Sequence, residues 1–253
     1  MQQLQGRVAV ITGAASGIGL AIARAFLSGG DAVMLADRDP RVNDIVAALR
    51  SQGRLASARQ VDLSDPAEAV ALARAAETEL GACDVLINNA GISPKRNGLP
   101  PSPFDIGVED WELTLRTNLT TPFVLCRELL PGMVARRFGR VVNIASRAGR
   151  TGVLTGGLPY AASKAGLIGM TRALALQCAA QGITANSIAP GWVETPLTGR
   201  TPPAAAAKAL QAIPLGRVAQ PDEIAGIVAF LCSADAAYIT GAVIDANGGS
   251  FMG

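Results

Sequence analysis

The sequence predicts a single α/β domain in which a parallel sheet of seven strands is wound on both faces by helices. Three observations predict it. Short apolar runs rich in Val, Ile and Leu alternate with longer segments of helical period, the βαβ rhythm of a sheet buried on both faces. The order of strand and helix runs from residue 7 to residue 246. And 49% of the residues are hydrophobic against 17% charged, at a mean hydropathy of +0.32, enough to bury a sizeable core and to exclude a disordered chain. A length of 253 residues would suit one large domain or two small ones; the order of elements decides for one, spanning residues 1–253.

Taken in order, the strands are expected at RVAVIT (7–12), AVMLA (32–36), LASARQV (55–61), DVLIN (84–88), RVVNIA (140–145), ITANSI (183–188) and AVIDA (242–246). The helices between them are expected near 17–29, 40–52, 66–80, 109–135, 160–181 and 221–232. Two segments depart from the rhythm: SPKRNGLPPSPFDIG (93–107) and the stretch from about 193 to 217. Both follow the carboxyl ends of strands, where open parallel sheets bind their ligands. They are therefore candidate rim and lid, with plain surface loop as the alternative.

Charge and cysteine usage exclude several classes. Against 22 basic residues stand 20 acidic ones, a net charge of +2, so no field of one sign draws nucleic acid or an anionic membrane. Cys83, Cys126, Cys178 and Cys232 lie far apart and form no CxxC pair. They read as reduced core thiols, and no metal site is expected. The N-terminal MQQLQGRVAVITG enters a strand without the pattern of a leader, and no apolar run is long enough for a membrane span. A cytoplasmic protein is expected.

Thr12-Gly13-Ala14-Ala15-Ser16-Gly17-Ile18-Gly19 follows the first strand and opens the first helix. Glycines there let the backbone turn tightly and approach a pyrophosphate, whose charge meets free N–H groups and the positive end of the helix dipole. This is the Rossmann-type, doubly wound arrangement. The second strand ends in Asp37, which can accept hydrogen bonds from ribose hydroxyls and would repel a 2′-phosphate, favouring NAD over NADP. Arg38 next to it could pair with such a phosphate or stack on adenine, and Ser16 brings no positive charge to the loop. Asp62 and Leu63 end the third strand. Asn88-Asn89-Ala90-Gly91 ends the fourth, with small residues at Ala90 and Gly91 for a ring to lie against and Asn88 suited to tying neighbouring strands together.

The chain has no histidine and only two tyrosines, one of them in YAASK, residues 160–164. A lysine at i+4 shares a helix face with the tyrosine. Its charge favours the phenolate and is expected to draw Tyr160 down from an ordinary value near 10 toward acid–base work. With no imidazole available, Tyr160 is the natural proton shuttle.

TGAASGIG at 12–19, NNAG at 88–91, Asn118 in RTNLT, Ser146 in NIAS, YAASK at 160–164 and PGWVET at 190–195 occur in an order and spacing that resemble the short-chain dehydrogenase/reductase family, over residues 6–249. The resemblance implies a carbonyl/alcohol interconversion with Tyr160 as general acid or base and Ser146 polarising the substrate oxygen. Lys164 would lower the tyrosine pKa and bind the nicotinamide ribose, and Asn118 would anchor a water of a proton relay. Gly13, Ser16, Ile18, Gly19, Asp37, Arg38, Asp62, Leu63, Asn89, Ala90 and Gly91 would line the nucleotide site, with Tyr160 and Lys164. Thr195 and the backbone of Val193, after Pro190 and Gly191, would hold the carboxamide. The resemblance also implies a homotetramer, with the helices of Asn118 and Tyr160 against their counterparts. One departure is the spacing of Ser146 and Tyr160, 14 apart, which lengthens the loop between them and alters the pocket.

The substrate expected is a small molecule, but its chemistry is open. Leu154, Trp192 and Leu197 suit an apolar alcohol, while Lys95, Arg96, Arg147, Arg150 and Arg200 could meet a carboxylate or phosphate. Relatives that reduce 3-oxoacyl groups dock their carrier protein with arginines at positions matching Arg137 and Gln181, of which one is kept. With Asp37, this favours an NAD-dependent secondary alcohol, polyol or hydroxy acid over an NADPH-dependent 3-oxoacyl reduction. A regulatory module that binds NAD without chemistry is the rival of another class, and the filled quartet argues against it. A dehydratase or epimerase would need a longer substrate domain.

Overall fold

The computed structural model describes residues 6–152 and 156–253, apart from the side chain of Arg200. The strands are β1 (Val8–Thr12), β2 (Ala32–Asp37), β3 (Ala56–Gln60), β4 (Val85–Asn88), β5 (Gly139–Ile144), β6 (Ile183–Pro190) and β7 (Val243–Ala246). The helices are α1 (Gly17–Ser28), α2 (Arg41–Ser51), α3 (Pro66–Leu80), α4 (Val108–Leu115), α5 (Thr121–Arg136), α6 (Leu158–Cys178), α7 (Pro203–Gln211) and α8 (Pro221–Leu231). Among the described residues the seven strands form one sheet in the order β3-β2-β1-β4-β5-β6-β7, every neighbour parallel. This is the Rossmann architecture the strand rhythm predicts.

Alternation along the strands divides the core into two layers. Ala9 and Ile11 of β1 point into one, with Ile22 and Phe26 of α1, Val42 and Val46 of α2, and Val228 and Leu231 of α8. Val10 points into the other, with Leu72 of α3 and Leu125, Leu129 and Met133 of α5. Each fully buried side chain of this size contributes about 1.5–3 kcal/mol. The near-continuous apolar runs of the sequence are thus runs buried on both sides.

Between β1 and β4 the direction of winding reverses, because β2 and β3 lie to one side of β1 while β4 to β7 lie to the other. The loops after β1 and β4 therefore diverge and leave a crevice at the carboxyl edge.

The structure departs from the expected elements in three places. The single helix expected over 109–135 is two, α4 and α5, joined by a π turn at Arg116–Thr120 in which Thr121 N–H returns to the Arg116 carbonyl, five residues back. Pro122 is the physical reason at hand, since it has no N–H for the carbonyl four residues earlier. The expected lid segment contains α7, preceded by a short turn at Thr198–Arg200. The helix holding Tyr160 starts at Leu158 and closes as a 3-10 turn over Ala179–Gln181. No helix among the described residues is long and apolar enough to cross a membrane.

Candidate active site

One cleft of about 660 Å³ runs along the carboxyl edge of the sheet, from the loop after β1 to the start of α6. Its first wall is the glycine loop. Gly13 has φ +65° and its missing side chain makes room for the chain after β4: a Cβ would stand 2.9 Å from Ala90 Cα. A Cβ on Gly19 would collide with the Gly13 carbonyl and stand 2.6 Å from Asn89 Nδ2. The two glycines serve different ends. Gly13 lines the cleft, whereas Gly19 is buried behind the loop, letting α1 approach it.

Asn89 and Thr12 fasten this loop to β4. Asn89 Nδ2 donates to the carbonyls of Thr12 and Gly13 at 2.9 and 3.0 Å, and Thr12 Oγ1 accepts from the backbone of Asn89 and Ala90, both at 3.0 Å. Asn88 has the strand-tying role expected of it, donating to Asn143 Oδ1 of β5 at 2.8 Å. The first turn of α1 carries no acidic residue, so its N–H groups and the positive end of its dipole are left for an anion from outside.

Asp37 braces the loop from the other side. One carboxylate oxygen accepts from Ala15 N–H at 2.9 Å and the other from Asp39 N–H at 3.0 Å. The carboxylate still lines the cleft, beside an exposed Arg38. Arg41, which sequence reasoning missed, also lines it and is held by Asp39 at 2.6 Å. Asp62 is stabilised as a carboxylate by the N–H of Ser64, at 2.9 Å, which lowers its pKa.

At the other end of the cleft Ser146, Tyr160 and Lys164 converge. Ser146 ends the chain after β5 and caps a 3-10 turn, its Oγ accepting from Ala148 N–H at 3.1 Å. That turn is pressed onto α6 through Gly149, whose Cβ would stand 2.6 Å from the Lys164 carbonyl carbon. The contact needs glycine, and it holds the serine against the tyrosine's helix.

Lys164 is 3% exposed and donates from Nζ to the Ile144 carbonyl at 2.8 Å. Burial, unrelieved by an acid, brings its pKa down from 10.5 to about 8.

The tyrosine does not follow the expectation from its spacing to the lysine. Burial raises the Tyr160 pKa, partly offset by a hydrogen bond with Ser146. Lys164 Nζ lies 5.7 Å from the tyrosine ring centre and is spent on Ile144. The i+4 spacing brings the two side chains to one face but does not aim the ammonium at the phenol. Tyr160 accordingly stands as a protonated acid at neutral pH.

Asn118 occupies the π turn and is fully buried. Its amide oxygen accepts from Ile92 N–H at 2.8 Å, and its amide hydrogens go to the Ile92 carbonyl at 2.9 Å and Ser163 Oγ at 3.0 Å. Ser163 in turn donates to the Tyr160 carbonyl at 2.8 Å. Asn118 thus ties the chain after β4 to the helix of the tyrosine, with both donors used by protein.

Every residue expected at the site lines the cleft except Gly19 and Asn118, which stand behind it. Thr117 and Thr198 were not anticipated. Thr117, beside Asn118 in the π turn, has a buried hydroxyl without a partner in the cleft wall. Thr198 donates to the Val193 carbonyl at 2.6 Å and accepts from Thr195 N–H at 3.0 Å, folding the chain after β6 over the cleft. Its role depends on a turn that has no motif.

A smaller pocket of about 100 Å³ opens beyond Ser146 and Tyr160, lined also by Trp192 and Leu197. The five basic side chains proposed for this region separate. Lys95 and Arg147 line the pocket. Arg96 faces Asp110 at 4.0 Å on the surface, and Arg150 is taken up by Asp245 at 3.0 Å and the Gly253 carbonyl at 2.7 Å. Leu154 and the side chain of Arg200 lie outside the described residues. All four cysteines are free thiols, and no cluster of metal ligands occurs among the described residues.

A Rossmann sheet whose crevice opens on a glycine loop, passes an acidic strand end and closes on a serine, a tyrosine and a buried lysine defines an NAD(P)-binding oxidoreductase. The comparisons with known proteins narrow the class. A family model described as enoyl-(acyl carrier protein) reductase matches residues 13–250. The 3-oxoacyl-(acyl-carrier-protein) reductase FabG of Vibrio cholerae serotype O1 is 38% identical over 250 residues, covering 98% of this chain and 99% of its own. Nodulation protein G of Rhizobium sp. (strain N33) is 41% identical over 253 residues, covering 100% of both.

Among solved structures, a 3-oxoacyl-(acyl-carrier protein) reductase of Brucella melitensis with bound NAD superposes with a TM-score of 0.91 at 35% identity, over 99% of this chain and 93% of its own. A blue fluorescent protein from a metagenomic library, in complex with NADPH, gives 0.91 at 34% identity, over 99% of this chain and 100% of its own. The chain belongs to the short-chain dehydrogenase/reductase family.

Proposed function

We propose that this protein reduces a ketone to a secondary alcohol, or runs the reverse reaction, with Tyr160 exchanging the proton on the substrate oxygen. The observation that carries the reading is the convergence of Ser146, Tyr160 and the buried Lys164 at one end of the cleft, with the phenol held protonated by a raised pKa. A protonated phenol donates to the oxygen of a carbonyl as it gains charge, and the serine hydroxyl polarises the same atom. The cleft suits a dinucleotide: it is about 660 Å³ in volume, and Gly13, Ser16, Gly17 and Ile18 of the glycine loop line it at the N-terminus of α1. A nicotinamide bound there supplies the hydride.

Lys164 adds a positive charge beneath the site, for a ribose hydroxyl and for the oxyanion that develops at the tyrosine. Asn118 acts as a positioning residue, with only the second lone pair of its amide oxygen left for a water. Gly91, Pro190, Gly191, Val193 and Thr195 would flank the ring, and the segment 193–217 would be its lid. Asp37 supports NAD over NADP, because its carboxylate faces the cleft where a 2′-phosphate would lie.

A second reading is favoured by a different observation: several of the similar proteins are named as 3-oxoacyl-(acyl-carrier-protein) reductases. On that reading the substrate is a 3-oxoacyl thioester, and the same residues act on its ketone.

The test is parallel titration with NADH and NADPH, then turnover followed by the absorbance of the reduced cofactor, with ketones, oxo acids and a 3-oxoacyl thioester as substrates. Tyr160→Phe is expected to keep cofactor binding and to lower kcat by about 10²–10⁴-fold. Turnover that survives this substitution rules out the proposed proton route. Tighter NADPH binding would mean that Arg38 outweighs Asp37.

A further inference from the structure

The small pocket beyond Ser146 and Tyr160 has a charge pattern of its own. Among the described residues lining it are two cations, Lys95 and Arg147, and no acid. They come from different segments. Lys95 belongs to the segment after β4 and donates to Thr201 Oγ1, at 3.4 Å, in the segment before α7. Arg147 directly follows Ser146, so its guanidinium is tied through one peptide unit to the hydroxyl that meets the substrate oxygen.

Arg147 differs from its neighbours in what it is paired with. Arg96 and Arg150 each face a carboxylate, Asp110 and Asp245. The polar contact of Arg147 is a neutral one, the Ser250 carbonyl at 3.2 Å. Burial lowers its pKa with no carboxylate to offset the cost. A half-buried guanidinium without an anion, in a cavity walled also by a lysine, is complementary to a substrate anion, and its planar fork suits a carboxylate best.

We propose that this pocket holds the carboxylate of a small oxo or hydroxy acid, with Arg147 as its principal partner and Lys95 as the second cation. The inference deepens the ketone/alcohol reading and rests on it for the identity of the reacting group. The pocket, about 100 Å³ in volume, suits the carboxylate end of a short-chain acid. A carrier-bound 3-oxoacyl thioester is neutral beside its ketone and would leave the Arg147 guanidinium without an anion. Specificity then comes as much from the penalty on uncharged analogues as from attraction to the acid.

The experiment compares acids with their esters on the NADH-loaded protein. Binding of acetoacetate and levulinate, and of their methyl esters, is measured by calorimetry, and turnover of all four is measured separately. The expected result is that the acids bind at least about tenfold more tightly than the esters, the difference made by one charge-assisted contact. Arg147→Gln should collapse this acid-to-ester ratio, and Arg147→Lys should restore part of it. Lys95→Met should reduce it by a smaller factor, which keeps the test sound if the arginine variant folds poorly.

Equal affinity for acid and ester, or an Arg147→Gln variant that weakens both alike, would overturn the proposal. So would a preference for dihydroxyacetone phosphate over both acids, since it would assign the cations to a phosphate. Failure of the hydride-transfer reading looks different: the acids bind selectively and none of the four compounds is turned over.

Discussion

The two ends of the cleft are built by different means. The glycine-loop end is made of backbone, with Gly13 and Gly19 absent of side chains because the chain after β4 and the loop's own carbonyl occupy that space. Asn89, Thr12 and Asp37 hold it by hydrogen bonds to main-chain atoms. The Tyr160 end is made of side chains buried against their preference. A lysine without an acid donates to the Ile144 carbonyl of β5, and the amide of Asn118 reaches α6 through the Ser163 hydroxyl, which donates to the Tyr160 backbone carbonyl. The first region tolerates no added atom, and the second holds a buried charge at a cost in stability. Shape governs where a pyrophosphate must be approached closely, and electrostatics governs where a proton must move.

The largest effect that would break this contrast is at Gly19. Gly19→Ala puts a methyl group into the Gly13 carbonyl and 2.6 Å from Asn89 Nδ2. It is expected to cost about 1–3 kcal/mol or more of stability by overpacking, and to weaken NADH binding by about a hundredfold or more. Thermal melting and cofactor titration would check both. Unchanged NADH affinity would mean that the loop does not hold the cofactor.

At the opposite end, Lys164→Met should stabilise the protein at neutral pH in the absence of cofactor. The folded lysine binds its proton more weakly than the unfolded one, with a pKa of about 8 against 10.5. The penalty is therefore fully present below pH 8 and is relieved as pH rises toward 10.5, because the unfolded chain holds the extra proton over that window. The raised pKa of Tyr160 acts in the other direction, and only at pH values around and above 10. The variant should exceed the parent by roughly 1–3 kcal/mol below pH 8, with the gap closing above it. Denaturant melts across pH would detect it, and a variant less stable at neutral pH would mean that the Ile144 contact outweighs desolvation.

The smallest of the three effects sharpens the comparison at Asp37, where a side chain serves the backbone-built end. Asp37→Asn retains an acceptor for Ala15 or Asp39 but removes the charge. The ratio of NADPH to NADH affinity should rise by about tenfold, and more at low ionic strength. A ratio that does not move would leave cofactor choice to Arg38 and Arg41, which line the same stretch of the cleft.

The strands, their order of appearance and the double winding were legible in the sequence alone, since short runs rich in Val, Ile and Leu alternate with longer segments of helical period. The glycine loop, Asp37 and the Tyr160/Lys164 face were legible for a related reason: each depends on residues close together in the chain. Even the π turn at Asn118 had a local cause in Pro122. The tertiary structure decided what depends on distant partners.

Gly19 stands behind the loop because Asn89, 70 positions away in the sequence, occupies the space in front of it. Lys164 turns to Ile144 and leaves the tyrosine to burial and Ser146. Of the basic residues near the site, Arg150 and Arg96 were claimed by acids from other elements while Arg147 was not. Spacing along a helix sets which side chains share a face. Which atom each finally meets is settled by the competition of all neighbouring donors and acceptors for the same few buried positions.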